Sequence, residues 1–429
     1  MKILYLTDYY YPFEPGGAEV SIRLLAKGLF KKVKLKVLTL NAGLKKNTDS
    51  VVLRMPFIFK LKSRQNQFRF YVLTNPFYYL YTAFWTIYYL KKLKIEIVHI
   101  HSKFMLPGAV IAKFFTGVRL VYTIRDNNLF CPLGICLQKD QVLAKDAGFL
   151  KFWRYCLPRY IDTYHHKNKS LVRYLSLLWT WIDLKLRRFC LQFCDKYIFV
   201  SKYLRDLHIT IFPQIAKRSS VIYDPIQTKN LKIDNDFKNN IKKIVFKHRR
   251  KTLILYVGRV TKGKGVGLLI DACKKIYRKN KNFMLLLAGV KTSFKLPNKS
   301  FVHYFGSLTP SELNVLYEIC DFVVIPSLVS EPFGRVPLEA AMFKKPVIAT
   351  MSGGLKETVK NNFNGLLIAR NDVFKLTEAI KILKENSKLR KKLGQNNFRH
   401  VLKSFSVERI SRVHFDVYDR LSSKEKEQA

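Results

Sequence analysis

The chain has 429 residues, 48% of them hydrophobic, enough to build two packed domains and too apolar for a disordered polymer. Its 77 Lys and Arg against 30 Asp and Glu give a formal charge of +47. That field attracts polyanions (nucleic acid, an anionic membrane surface, phosphorylated small molecules), although Lys-rich composition alone accounts for part of it. Seven cysteines, Cys131, Cys136, Cys156, Cys190, Cys194, Cys273 and Cys320, form no CxxC pair. The odd count argues against a secreted disulfide framework, and without zinc spacing the thiols read as buried or free.

Met1–Thr7 is a short apolar run closed at once by Asp8, which reads as a buried first strand rather than a signal peptide. Lys36–Leu40, Ile95–His101, Leu120–Ile124, Tyr197–Ser201 and Ser220–Tyr223 continue the strand series. Continuous apolar runs separated by helical segments suit a parallel sheet covered on both faces. Phe70–Leu90 carries no charge and is long enough to cross a bilayer, yet it holds Asn75, Pro76 and six tyrosines. It reads as a helix that is either core or seated at a membrane. Trp179 and Trp181 beside Lys185, Arg187 and Arg188 repeat the mixture of aromatic and basic residues that a membrane-surface protein presents to anionic lipid.

The polar stretch Gln227–Lys251 reads as a linker, and the Asp234-Asn235-Asp236 within it as an incidental metal-motif match with no strand before it. A second α/β series follows. Thr252–Val257, Phe283–Ala288, Phe301–Tyr304, Phe322–Pro326 and Pro346–Thr350 are strands; Leu268–Tyr277, Ser311–Cys320 and Val336–Phe343 are helices. Thr309 with Glu312 gives one of these helices a capping box. Two doubly wound α/β domains in tandem follow, with chemistry expected in the loops at the carboxyl ends of strands.

Three loops stand out. Gly16 and Gly17 sit between the first strand and a helix, where bare backbone and a helix N-terminus favour an anion. Gly258 to Gly265 satisfies most of a Walker A pattern but places Gly265 where Ser or Thr would hold Mg²⁺, which weighs against a P-loop NTPase. Its Arg259 and Lys264 can neutralise a diphosphate without a metal. At the third, Glu331 closes the loop and Glu339 sits in the following helix, with Phe333 and Gly334 between them, and paired carboxylates accept hydrogen bonds from the vicinal hydroxyls of a sugar or ribose.

This third segment, continued by Ala340–Thr350 and Gly353–Glu357, resembles the C-terminal signature of glycosyltransferase family 4. Pro15–Glu19, Val98–His101, Val200-Ser201, Ile222-Tyr223, Gly258-Arg259 with Lys264-Gly265, and Asp321 with Pro326-Ser327 fall in the family's order, over nearly the whole chain. The resemblance implies a GT-B fold, two Rossmann-like domains facing each other across a cleft, and metal-independent, cofactor-free transfer from a nucleotide sugar with retention at the anomeric carbon. It implies that Glu331 contacts the transferred sugar, Glu339 the ribose, and Arg259 and Lys264 the departing diphosphate. Gly16, Gly17 and the backbone at Phe333 and Gly334 would approach donor or acceptor. Arg125 stands where many members carry His, and cannot relay a proton; Lys344 replaces a usual Gly. His99 and His101 share one strand face, His99 reading as core and His101 as either core or cleft.

The resulting expectations are an N-terminal acceptor domain over 1–226, a nucleotide-sugar domain over 227–404, and a helix at 405–429 packing back on the first domain. The acceptor is expected to be a lipid-linked or envelope glycan, at the cytoplasmic face of the membrane, with an anionic membrane surface as partner and no specific nucleic acid. The alternatives are a basic membrane- or nucleic-acid-binding protein and a P-loop-like NTPase.

Overall fold

The computed structural model describes residues 1–41, 50–58, 73, 75–130, 148–158, 171–229, 231–246, 251–290 and 294–426. Cys131, Cys136 and part of the Phe70–Leu90 run lie outside them. The chain forms two units, Met1–Pro225 with Val407–Ala429, and Ile226–Ser406.

The first unit is built on a seven-stranded parallel sheet: β1 (Lys2–Thr7), β2 (Lys34–Asn41), β3 (Val52–Ile58), β4 (Ile97–Ile100), β5 (Arg119–Ile124), β6 (Lys196–Phe199) and β7 (Ser219–Val221). Their spatial order is β3-β2-β1-β4-β5-β6-β7. Between them run α1 (Gly17–Leu29), α2 (Pro76–Leu93), α3 (Leu106–Thr116), α4 (Leu171–Leu191) and α5 (Lys202–Ile209). Helices on both faces explain why β1 and β5 bury every residue but the first. The last helix, α13 (Val407–Lys426), joins this unit: Ile410 and Tyr418 pack with Ile3, Tyr5, Ile22 and Leu25 beneath α1. A Cβ on Gly28 of α1 would stand 2.0 Å from Ser411 Oγ, so the two helices meet at van der Waals distance.

The second unit repeats the plan with β8 (Thr252–Val257), β9 (Phe283–Ala288), β10 (Val302–Gly306), β11 (Phe322–Ile325), β12 (Val347–Thr350) and β13 (Gly365–Ile368), in the order β10-β9-β8-β11-β12-β13. Its helices are α6 (Asn235–Phe246), α7 (Val266–Tyr277), α8 (Pro310–Ile319), α9 (Val336–Met342), α10 (Leu355–Thr358), α11 (Val373–Glu385) and α12 (Ser387–Phe405). Ile254, Leu285 and Val324 fill the core on one face of the sheet, and Leu255, Leu286 and Val323 fill it on the other. Each such side chain contributes roughly 1.5–3 kcal/mol by leaving water. α8 starts with the capping box: Thr309 Oγ1 accepts from Glu312 N at 3.3 Å, and Glu312 Oε2 from Thr309 N at 2.7 Å.

Some elements depart from the expectation. The polar linker contains α6, whose apolar Ile241 is buried in the core. Asp234 is a helix cap whose carboxylate accepts from Phe237 N at 2.8 Å, which explains the isolated DxD match without a metal. Lys344 follows α9 with φ +54°, the left-handed conformation that glycine takes without strain, which is a backbone reason for the Gly usual at this place.

Candidate functional site

In each sheet the strand order reverses once, between β1 and β4 in the first and between β8 and β11 in the second. Loops leaving the carboxyl ends of the two strands diverge at such a point, which opens a crevice for ligands. The motif loops leave from these strands: Gly16-Gly17 after β1, His101 after β4, Gly258–Gly265 after β8, and Glu331–Gly334 after β11.

In the second unit the loops are bound to one another. Leu328 and Val329 donate backbone N–H groups to Gly263 O at 2.9 and 3.1 Å. Gly265 takes φ +74°, and a Cβ there would lie 1.9 Å from Pro326 O. A Ser or Thr side chain therefore has no room at this position, and the geometry removes the P-loop reading. The juxtaposition brings Lys264 Nζ to both oxygens of Glu331, at 2.6 and 2.8 Å. Ser327 Oγ donates to the same carboxylate. Burial works to raise the Glu331 pKa, but the Lys264 ammonium, its hydrogen bonds and that of Ser327 outweigh it, holding the carboxyl below its ordinary range. Arg259 is exposed on the same loop.

Glu339 lies one turn into α9. The hydroxyl of Tyr317, a buried residue of α8, donates to it at 2.9 Å, and Arg335 Nε lies 3.5 Å from its other oxygen. About a quarter of the Glu339 side chain (27%) stays exposed, so further hydrogen bonds can reach it. The Phe333 side chain packs inward against Phe405, leaving only backbone for a ligand. Gly334 has φ +93° beside it.

In the first unit, Gly16 caps α1 in an extended conformation, and Gly16 and Gly17 are both exposed. A Cβ on Gly16 would stand 3.1 Å from Glu19 Oε2, so the Glu19 carboxylate folds back over the helix start. Burial raises its pKa. The anion-favouring position expected here is thus lined by an internal carboxylate. Arg125, at the end of β5, donates from Nε to Asp224 at 3.2 Å and lies 3.0 Å from His101 Nδ1 through Nη1. A guanidinium can only donate, so Nδ1 accepts and the neutral ring carries its proton on Nε2. Burial, then His99 and Arg125, push the His101 pKa well below the ordinary imidazole value. His99 is core: Nε2 meets Thr123 Oγ1 at 2.6 Å and Nδ1 meets the Tyr418 hydroxyl.

Sequence reasoning did not single out Asp224 or Tyr317, took Ser327 only as part of a family motif, and read Asp8 only as the end of the first strand, although Asp8 accepts from the Tyr78 and Ser102 hydroxyls. Asp8 and Asp224 each follow a strand in a chain poor in acids, and that was their available signal. Among the described residues no cluster of three or more His, Cys, Asp or Glu is placed to hold a metal. Cys190, Cys194, Cys273 and Cys320 are buried free thiols.

Two Rossmann-like α/β domains with these loops define the GT-B class of protein, and solved structures of that class align over almost the entire chain. The Anabaena protein HepE in complex with UDP-glucose covers 99% of this chain and 100% of its own, with a TM-score of 0.63 at 19% identity. The lipopolysaccharide-biosynthesis glycosyltransferase WaaG aligns with 97% of this chain and 99% of its own, at a TM-score of 0.60 and 17% identity. Residues 15–230 match the model of Glycosyltransferase Family 4, and residues 237–400 that of Glycosyl transferases group 1. The chain belongs to Glycosyltransferase Family 4. An uncharacterised glycosyltransferase of Methanocaldococcus jannaschii is 34% identical over 240 residues, 53% of this chain and 60% of that protein. A capsular polysaccharide biosynthesis glycosyltransferase of Staphylococcus aureus is 27% identical over 53% of this chain and 61% of its own length. The chain thus spans about three fifths of the length of these curated relatives.

Proposed function

We propose that the protein transfers a hexose-type sugar from a nucleotide-diphosphate sugar, without a metal and with retention at the anomeric carbon. The observation that carries this reading is the Lys264–Glu331 pair, a cation and a carboxylate held together at the strand-order reversal of the second unit. In this reading the donor diphosphate takes Lys264, with Arg259 beside it, and stabilisation there is greatest when the leaving group gathers charge. Glu331, released from the ammonium, accepts hydrogen bonds from sugar hydroxyls, and Glu339, fixed by Tyr317, accepts from the ribose. Backbone N–H groups at Phe333 and Gly334 and at Gly16 and Gly17 serve oxygens of donor and acceptor. Arg125, oriented by Asp224 and His101, acts as a fixed charge and not as a proton relay. The acceptor in this reading is a lipid-linked or envelope glycan presented at the cytoplasmic face of a membrane. Capsule and lipopolysaccharide enzymes among the similar proteins support that choice.

The test is thermal stabilisation across UDP-, GDP- and ADP-sugars with EDTA and ATP–Mg²⁺ as controls. Stabilisation by one nucleotide sugar, unchanged by EDTA, is expected. Stabilisation by ATP–Mg²⁺ alone would overturn the reading.

A further inference from the structure

The helix α2 is laid into the first unit with its polar groups inward. Its buried side carries the hydroxyls of Thr82 and Thr86 with Tyr78, Tyr79, Ala83 and Leu90. Its outer side carries Phe77, Leu80, Phe84 and Tyr88, which are 78%, 59%, 61% and 41% exposed. Their spacing of three and four residues places them in one stripe along the helix. A core helix has the reverse arrangement. α2 is not loosely attached, because a Cβ on Gly108 of α3 would lie 2.1 Å from Thr82 Oγ1. α3, packed against α2 through Gly108, also ends in exposed rings. Phe114 and Phe115 at the end of α3 are 68% and 73% exposed, and Phe114 stacks edge-on against Phe193, which meets Phe189 of α4. A single exposed phenylalanine is ordinary, but a face of this extent marks a contact surface.

The charges around this face choose its occupant. α2 and α3 contain no Asp or Glu, and the Asp183 of α4 is fully buried against Arg187. Lys91 and Lys92 close α2, Lys94 caps it, and Lys92 lies over the Tyr88 ring at 5.2 Å. On α4, Lys185 lies over Trp181 at 5.2 Å. A second copy would bring two such basic rims, each on a chain of charge +47, against one another. An anionic leaflet answers both features, taking aromatic side chains at the headgroup boundary and lysines at its phosphates. Among the described residues no helix is long and apolar enough to cross a membrane, which makes lying on the surface the available geometry.

We propose that the outer face of α2 with the end of α3 is a docking surface for a bilayer rich in anionic phospholipid, seated by insertion of Phe77, Phe84 and Phe115. This deepens the membrane-side reading above and rests on it for the acceptor alone. The experiment is co-sedimentation of the full chain with phosphatidylglycerol–phosphatidylcholine vesicles and with phosphatidylcholine vesicles. A triple variant, Phe77→Asp, Phe84→Gln and Phe115→Gln, is run alongside, with nucleotide-sugar stabilisation as the check on folding and on the transfer site. Wild type is expected on anionic vesicles, with the triple variant about tenfold or more weaker and its nucleotide-sugar stabilisation unchanged. Equal binding of both proteins would overturn the assignment to this face. So would absence of wild-type binding, whether the chain is monomeric or forms a dimer that the triple variant dissolves. None of these results touches the sugar-transfer reading, which the stabilisation arm reports separately.

Discussion

The two units share one topology and treat their polar groups in opposite ways. In the second, Lys264 meets Glu331 across two loops while 27% of the lysine side chain stays in solvent, so an arriving anion can exchange for the carboxylate. In the first, His99, Thr123, Tyr5 and Tyr418 form a network buried to 2% exposure or less, joining strands β1, β4 and β5 to a helix near the end of the chain. A strand-order reversal delivers loops to one place, but the depth of the groups set there decides whether they trade partners or hold them. Exchangeable pairs suit a ligand that comes and goes; a sealed network suits a frame.

The largest effect that sharpens this contrast is on catalysis. Glu331→Gln or Lys264→Met is expected to lower kcat/KM for sugar transfer by roughly 10²–10³. The double variant should be little worse than either single one, because the two groups act as a unit. Additive losses in steady-state kinetics would break the idea that the pair is exchanged on donor binding. Removing Lys264 takes away the strongest influence opposing burial and leaves only the Ser327 hydrogen bond and Arg259, so the Glu331 pKa should rise in Lys264→Met, as read by carboxyl NMR.

The second effect is on stability and belongs to the first unit. Tyr418→Phe deletes the hydroxyl shared by Tyr5 and His99 and should cost about 1–3 kcal/mol. The tryptophans, Trp85, Trp153, Trp179 and Trp181, all lie in that unit, so fluorescence-detected urea unfolding reports it selectively. Unchanged fluorescence midpoints with unaltered nucleotide-sugar stabilisation would mean the network is not holding the frame.

The third effect is acid sensitivity. His99, His101, His208 and His414 are buried neutral, with pKa values pushed below 6.5 by desolvation, to about 4 for His208 and His414. Stability they support is complete above 6.5 and is lost as pH falls towards the folded values, because only the unfolded chain takes up the protons. Each contributes a slope of roughly 1.4 kcal/mol per pH unit within that window. Asp8 and Glu19, whose pKa values burial raises, work in the opposite sense by favouring the folded state as they protonate. Tryptophan fluorescence should therefore report loss of the first unit between pH 6.5 and about 4. A His414→Leu variant should show a shallower slope.

Much of the architecture was legible because parallel strands buried on both faces are continuous apolar runs, as in Phe283–Ala288. β3 was harder because Arg54 and Pro56 interrupt its apolar run, and β13 because Gly365–Ile368 is only four residues long. The loops bearing Arg259, Lys264 and Glu331, and the helix start bearing Glu339, announced themselves as glycines and charges in fixed order. Their pairing did not, because Lys264 and Glu331 are 67 residues apart and meet through backbone bonds between two loops. The Tyr418–His99 contact spans 319 residues and leaves no local trace at either end. The inverted polarity of α2 was hidden for another reason: a helix apolar on all sides shows no periodicity from which to tell its inner face.

The return of α13 to the first unit also bears on the order of events at the ribosome. Synthesis runs from the N-terminus, and domains ordinarily close in that order. Here Tyr418 and Ile410 are not available to the first unit until the whole of Ile226–Ser406 has been translated. The continuous second unit can therefore complete itself first, while the earlier-made unit waits with its β1–α1 face uncovered for the helix that finishes it.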